Sequence, residues 1–256
     1  MSISAVWRQE SPNLRLAMTL CLTLLLAGAV WSGAAAQGTF TAASAEGPAQ
    51  RAFAPPKGPA PAIIVLSGQS GPTQPYQDYA NQLARVGYYT VLIDSNDIFT
   101  RTQDGPGNLR KAVARTQQSP QVVKGKIGVV GFSLGGGAAL TYAANAPEHV
   151  AVVVAYYPFT SFAAAKEPDS FVKRFRVPIL ALAAGQDSYK NCCLIETIQA
   201  IDASAKKSGA KFELVVYPRA EHNFDHSGKN FRREDERDAW KRTQDMLRLH
   251  LPPAAS

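Results

Sequence analysis

The chain has 256 residues, a formal charge of +7 from 27 Lys+Arg against 20 Asp+Glu, and three cysteines. Once an N-terminal export segment is set aside, that length suits one domain with a substantial core and argues against two. The basic residues are scattered and not interleaved with aromatics on one face, which argues against a nucleic-acid partner. The few cysteines exclude a disulfide framework.

Residues 1–36 read as an export signal. Arg8 and Arg15 form a basic start, residues 16–30 an uncharged apolar core, and Ala34-Ala35-Ala36 the small residues that precede cleavage before Gln37. The apolar core is shorter than the ~20 residues that a membrane span needs, so cleavage is expected in preference to a retained anchor. Cys21 has no small residue just before it and leaves with the signal. The expected location is periplasmic or secreted, with no stable membrane association after cleavage.

From 37 to 61 the chain is rich in Ala, Gly and Pro, an arm with at most one or two short edge strands near Phe40 and at 51–54. An alternation follows: strand 62–66, helix 76–86, strand 88–93, helix 109–118, strand 126–132, helix 135–146, strands 150–156 and 177–183, helix 194–205, strand 212–217 and a final helix 234–249. Leu194, Ile198, Ile201 and Ala205 recur at helical spacing, with Glu196, Asp202, Lys206 and Lys207 on the opposite face. Continuous apolar strands between amphipathic helices indicate an α/β fold, a mainly parallel sheet with helices on both faces. One domain at 62–251, with no large lid domain, is followed by a flexible tail at 252–256. Ligands in such sheets bind at the carboxyl ends of the strands, so chemically useful residues should follow strands.

Gly131-Phe132-Ser133-Leu134-Gly135 matches G-x-S-x-G between a strand and a helix. A sharp turn there lifts the serine hydroxyl out of the sheet and requires flanking positions without side chains. Gly136 and Gly137 let the following helix approach neighbouring strands. A hydroxyl is a weak nucleophile until a base removes its proton, and the base needs an orienting partner. Of four histidines, His149 precedes a strand at the wrong end of the sheet and His250 ends the last helix. His222 and His226 follow the strand ending at Tyr217; His222 comes first and is the expected base, leaving His226 further out as a surface residue. Asp187, just after the strand 177–183, is the expected orienting carboxylate, since Tyr157-Pro158-Phe159 offers no acid; a helix N-cap is its structural alternative. The chain order Ser133, Asp187, His222 is the one that accompanies an elbow of this kind. An oxyanion needs two backbone donors in place. Leu134 should supply one, and Gln69 or Ser70, in the turn Ser67-Gly68-Gln69-Ser70-Gly71, the other.

On Gly131-Phe132-Ser133-Leu134-Gly135-Gly136, Gly185-Gln186-Asp187, Glu221-His222-Asn223-Phe224 and Asp238-Ala239-Trp240-Lys241-Arg242, the chain resembles the dienelactone hydrolase family across residues 62–251. The resemblance implies a compact, lidless α/β-hydrolase fold that cleaves esters or lactones through an acyl-enzyme. The namesake enzymes carry a cysteine where this chain has Ser133 and a glutamate where it has Gln69. Residues 94–107 also lack the aromatic and arginine pattern associated with the dienelactone carboxylate.

Cys192-Cys193 follows Asp187 closely. A disulfide between neighbours is unusual, and two reduced thiols packed under the acid loop fit equally well. No other Cys or His lies at ligand spacing, so no metal site is expected. The sequence thus reads as an exported serine hydrolase acting on a small-molecule ester or lactone without a cofactor. Peptidase, thioesterase and acyltransferase activity with the same triad are the alternatives, followed by a noncatalytic binding protein on a hydrolase scaffold. The sequence sets no oligomeric state.

Overall fold

The computed structural model describes residues 38–253; the expected export segment, Gln37 and residues 254–256 of the expected tail lie outside the described residues. Eight strands are ordered β1-β2-β4-β3-β5-β6-β7-β8 in one sheet. They are β1 (Thr39–Thr41), β2 (Gln50–Phe53), β3 (Ala62–Leu66), β4 (Tyr89–Ile93), β5 (Ile127–Phe132), β6 (Val150–Tyr156), β7 (Ile179–Ala184) and β8 (Phe212–Tyr217). The arm supplies β1 and β2, which pair antiparallel at one edge, and β3 to β8 are parallel. This is the mainly parallel α/β-hydrolase arrangement.

Alternate side chains on each inner strand reach opposite faces of the sheet. On β3, Ala62, Ile64 and Leu66 join one core while Ile63 and Val65 join the other. Both faces are covered, which is why every residue of β3, β5 and β7 is buried and the strands read as unbroken apolar runs. The helices α1 (Gln74–Arg85) and α6 (Arg233–His250) close one face, with Tyr79, Leu83, Ala239 and Leu247 in its core. The helices α2 (Gly105–Gln118), α3 (Leu134–Thr141), α4 (Pro168–Phe171) and α5 (Ile195–Ser208) close the other. Among the described residues no helix is long and apolar enough to cross a membrane.

Departures from the expected boundaries have local causes. Helix α1 starts two residues early because Pro75 occupies its first turn, where a missing N–H costs nothing. Helix α2 starts at Gly105 because the Asp104 carboxylate accepts the Gly107 N–H at 3.0 Å, so Gly-Pro-Gly opens a helix that it was expected to precede. Helix α3 ends at Thr141 and tightens into a 3-10 turn at Ala143–Asn145 instead of running to 146. The Thr141 hydroxyl donates back to the Gly137 carbonyl at 2.7 Å, a bond that bends helices. Helix α5 continues to Ser208 until Gly209, at φ 72°, closes it in the left-handed region.

The chain runs from β3 to β4 on one side, then crosses back to β5 on the other, so β3 and β5 flank the point where strand order reverses. The carboxyl ends of these two strands are where a doubly wound sheet opens a crevice. Ser67–Gly71 leaves β3 there and Ser133 leaves β5 there.

Candidate active site

Ser133 adopts φ 51°, ψ −113°, a backbone conformation that non-glycine residues rarely occupy. Its surroundings hold it. Its N–H donates to the Tyr156 carbonyl at 3.0 Å, and its own carbonyl accepts from Gly137 and Phe159 at 3.0 and 2.8 Å. The turn is tight enough that a Cβ on Gly131 would strike the backbone of Gly135, and one on Gly135 the carbonyls of Leu66 and Ser67. Glycine at these positions is therefore a steric requirement of the elbow.

Asp187 lies beyond β7 and His222 beyond β8, and backbone bonds tie the two loops together. Gly185 N–H donates to the Tyr217 carbonyl at 2.9 Å and Gln186 N–H to the Ala220 carbonyl at 2.8 Å. The result is a continuous hydrogen-bonded line. His222 Nδ1 lies 2.6 Å from Asp187 Oδ2, and His222 Nε2 lies 3.0 Å from Ser133 Oγ. Since a carboxylate only accepts, Nδ1 carries the proton and Nε2 presents its lone pair to the serine hydroxyl. All three residues are buried, at 6% exposure for Ser133 and 4% for Asp187 and His222. Asp187 Oδ1 also accepts the Tyr189 N–H at 3.1 Å, so the carboxylate shapes its own turn while it holds the imidazole.

The His222 ring is clamped by aromatics that sequence reasoning did not single out. Tyr189 stacks on it at 4.6 Å and 12°, and Tyr157 meets it edge-on at 4.7 Å. Tyr189 follows Asp187 and Tyr157 follows β6, so the rule that useful residues succeed strands could have found both. His226 corrects an expectation: it is not a surface residue. Its side chain is 12% exposed, packs edge-on against Tyr76 at 4.8 Å, and lies 3.3 Å from the Tyr157 hydroxyl. The segment after β6 carries no acid of its own but meets one from the loop after β8, where Tyr157 donates to Asp225 Oδ1 at 2.8 Å. Burial pushes the Asp225 carboxyl above its ordinary range, opposed by the His226 imidazole and the Tyr157 bond. Burial, reinforced by Asp225, pushes the Tyr157 hydroxyl far above its ordinary range, so it serves as a neutral donor.

The turn after β3 is braced against the elbow. Gly135 N–H donates to the Ser67 carbonyl at 3.2 Å, Ser95 Oγ donates to the same carbonyl at 2.5 Å, and Asn96 Nδ2 holds the Gln69 carbonyl at 2.9 Å. Among the described residues the N–H groups of Leu134, Gln69 and Ser70 have no backbone partner. Gln69 and Ser70 line, with Ser133 and His222, a depression of about 290 Å³. It adjoins an open cleft of about 510 Å³ walled by Tyr76, Tyr189 and Asn230. Lys190 Nζ reaches Gln69 Oε1 at 3.4 Å, so the acid loop touches the turn after β3 across the depression.

Cys192 and Cys193 form a disulfide between adjacent residues. Spacing gave no reason to expect a metal site, yet in the fold both sulfurs and a ring nitrogen of His222 lie within 4.8 Å of one another. Spacing along the chain hid this because the contact depends on the pairing of the loops after β7 and β8.

The model of the dienelactone hydrolase family matches residues 96–251. This chain belongs to the dienelactone hydrolase family. Membership makes it a hydrolase of the ester- and lactone-cleaving kind. It is similar to a Methylorubrum extorquens protein named for carboxymethylenebutenolidase activity, 26% identical over 226 residues that cover 79% of this chain and 77% of the relative. A Bradyrhizobium protein named for 2-oxo-3-(5-oxofuran-2-ylidene)propanoate lactonase activity is 27% identical over 214 residues, covering 75% and 84%. In fold, the chain is similar to a Klebsiella pneumoniae crystal structure that carries the dienelactone hydrolase name, with a TM-score of 0.69 at 20% identity, covering 82% of this chain and 97% of that one.

Proposed function

We propose that this protein is an exported serine hydrolase that cleaves a carboxylic ester or lactone through an acyl-enzyme. The observation that carries the reading is the single imidazole of His222, in hydrogen-bond reach of both the Ser133 hydroxyl and the Asp187 carboxylate. His222 Nε2 takes the proton as Ser133 Oγ attacks the substrate carbonyl carbon, and the imidazolium that forms is stabilised by Asp187. The N–H of Leu134 and that of Gln69, with Ser70 as the alternative, receive the oxyanion. Nε2 then returns the proton to the leaving alkoxide. Water, deprotonated by the same nitrogen, attacks the acyl carbon and releases the acid with Ser133 restored. No step calls for a cofactor.

The elbow supports serine as the nucleophile, because a strained backbone of this kind persists where the surroundings over-determine it for function. The lactone-cleaving names of two relatives support an ester or lactone carbonyl as the target. Residues 1–36 and the disulfide support an oxidising location outside the cytoplasm. Turnover of p-nitrophenyl acetate by the wild type and by Ser133→Ala tests the reading: equal rates would overturn it. A panel of short esters, lactones, thioesters and peptides would then establish the acyl class.

A further inference from the structure

The proposed mechanism gives Cys192 and Cys193 no task, yet they sit against its base. Both are buried, at 8% and 6% exposure. They follow the turn that stacks Tyr189 on His222, in which Lys190 and Asn191 take left-handed backbone angles. The Cys192 carbonyl accepts the N–H groups of Thr160 and Ser161 at 2.9 and 3.0 Å, which anchors the pair to the segment after β6. Both sulfurs and a nitrogen of His222 fall within 4.8 Å of one another, compact enough for one cation to be reached from all three.

We propose that the reduced pair, together with His222, forms a binding site for a thiophilic divalent cation of the zinc type, and that occupancy arrests the hydrolase. The disulfide is the form that leaves the imidazole free. This regulation rests on the reading of His222 as the general base. An external dithiol supplies two electrons and two protons to the sulfur–sulfur bond and is itself oxidised to a disulfide. Cys192 and Cys193 then release two protons to solvent as their thiolates bind the cation. His222 supplies a neutral nitrogen lone pair, and water completes a tetrahedral set. Two sulfur ligands and one imidazole select soft or borderline metals over magnesium or calcium. Two thiolates balance a dication, so the metal and its ligands carry no net charge, which lowers the penalty for burying them beside the Asp187 carboxylate. If Nε2 ligates the cation, its lone pair is lost to Ser133; if Nδ1 ligates, the N–H that Asp187 accepts is lost. Either arrangement stops proton transfer.

The test uses the full chain, reduced under anaerobic conditions and freed of reductant, beside the oxidised form. Cadmium should bind the reduced protein at one equivalent with a thiolate-to-metal charge-transfer band, and the oxidised protein should show none. Zinc should slow p-nitrophenyl acetate hydrolysis by the reduced protein ~100-fold at a free concentration about 100 times its Kd. A chelator should restore the rate. In Cys192→Ser/Cys193→Ser the ratio of rates with and without zinc should stay near one, whatever the basal rate; Cys193→Ser alone serves if the double variant does not fold. His222→Ala should keep the cadmium band but bind at least roughly 10-fold more weakly. Absence of the band in reduced wild type, undiminished affinity in His222→Ala, or equal inhibition of the oxidised and serine forms would each overturn the proposal. Cadmium binding that depends on His222 in a protein that hydrolyses no ester would remove the hydrolase reading and leave the cation site standing.

Discussion

Replacing Ser133 by alanine removes the hydroxyl that faces His222 Nε2, and ester turnover should fall by about 10⁴-fold or more while the fold persists. Asp187→Asn should cost a similar ~10⁴-fold, because an amide in place of the carboxylate no longer enforces the tautomer that leaves Nε2 free. Steady-state kinetics on both variants check this, and a loss confined to KM would contradict the assigned roles. Asp225 permits a pH test. Burial raises its folded pKa above the ordinary 3.8, so the unfolded chain gives up this proton first as pH rises. Stability from this site therefore falls as pH climbs from the ordinary value through the raised one. Urea unfolding should show Asp225→Asn gaining on the wild type as pH rises above the ordinary value, and a difference that does not change with pH would remove the explanation. Of the residues around the base, Ser133, Asp187 and His222 were legible because a motif and the strand-end rule point to them. Tyr189 and Tyr157 follow strands but were not singled out, because stacking on a ring leaves no mark in spacing, and His226 was assigned to the surface because its packing against Tyr76 joins loops distant in sequence.

At the level of elements, the elbow between β5 and α3 depends on the absence of two side chains. Gly131→Ala places a methyl group against the backbone of Gly135, which cannot yield without moving α3. The expected cost is about 1–3 kcal/mol of overpacking, with activity lost out of proportion to stability as Ser133 shifts. Thermal unfolding measured beside turnover separates the two effects. Strands were the most legible elements: 62–66 and 150–156 match their observed bounds because burial on both faces writes an unbroken apolar run, and 212–217 matches too although it is mostly half-buried and carries the exposed Glu213. Helix ends were less so. The start of α2 hides behind Gly105-Pro106-Gly107, and the break after Thr141 comes from one side-chain bond to a backbone carbonyl. The short α4, with Phe171 against Phe162 and Phe175, is positioned by aromatic packing and has too few turns to show a period.

For the whole molecule, export predicts that the chain recovered from the periplasm or medium of an expressing cell begins at Gln37. N-terminal sequencing of that fraction tests it, and recovery only of the intact chain in membranes would contradict it. The amino-acid sequence by itself determined the parallel α/β architecture, the elbow and the order of the three polar residues, because apolar runs, glycine spacing and strand ends are local features of the chain. Tertiary structure alone decided that the loops after β7 and β8 pair, Gly185 to Tyr217 and Gln186 to Ala220, and so how closely His222 meets Asp187. It also decided that two sulfurs come to rest beside that histidine. Hydrogen bonds between strands bring such groups together, and they join residues by position in the sheet, whatever their separation along the chain.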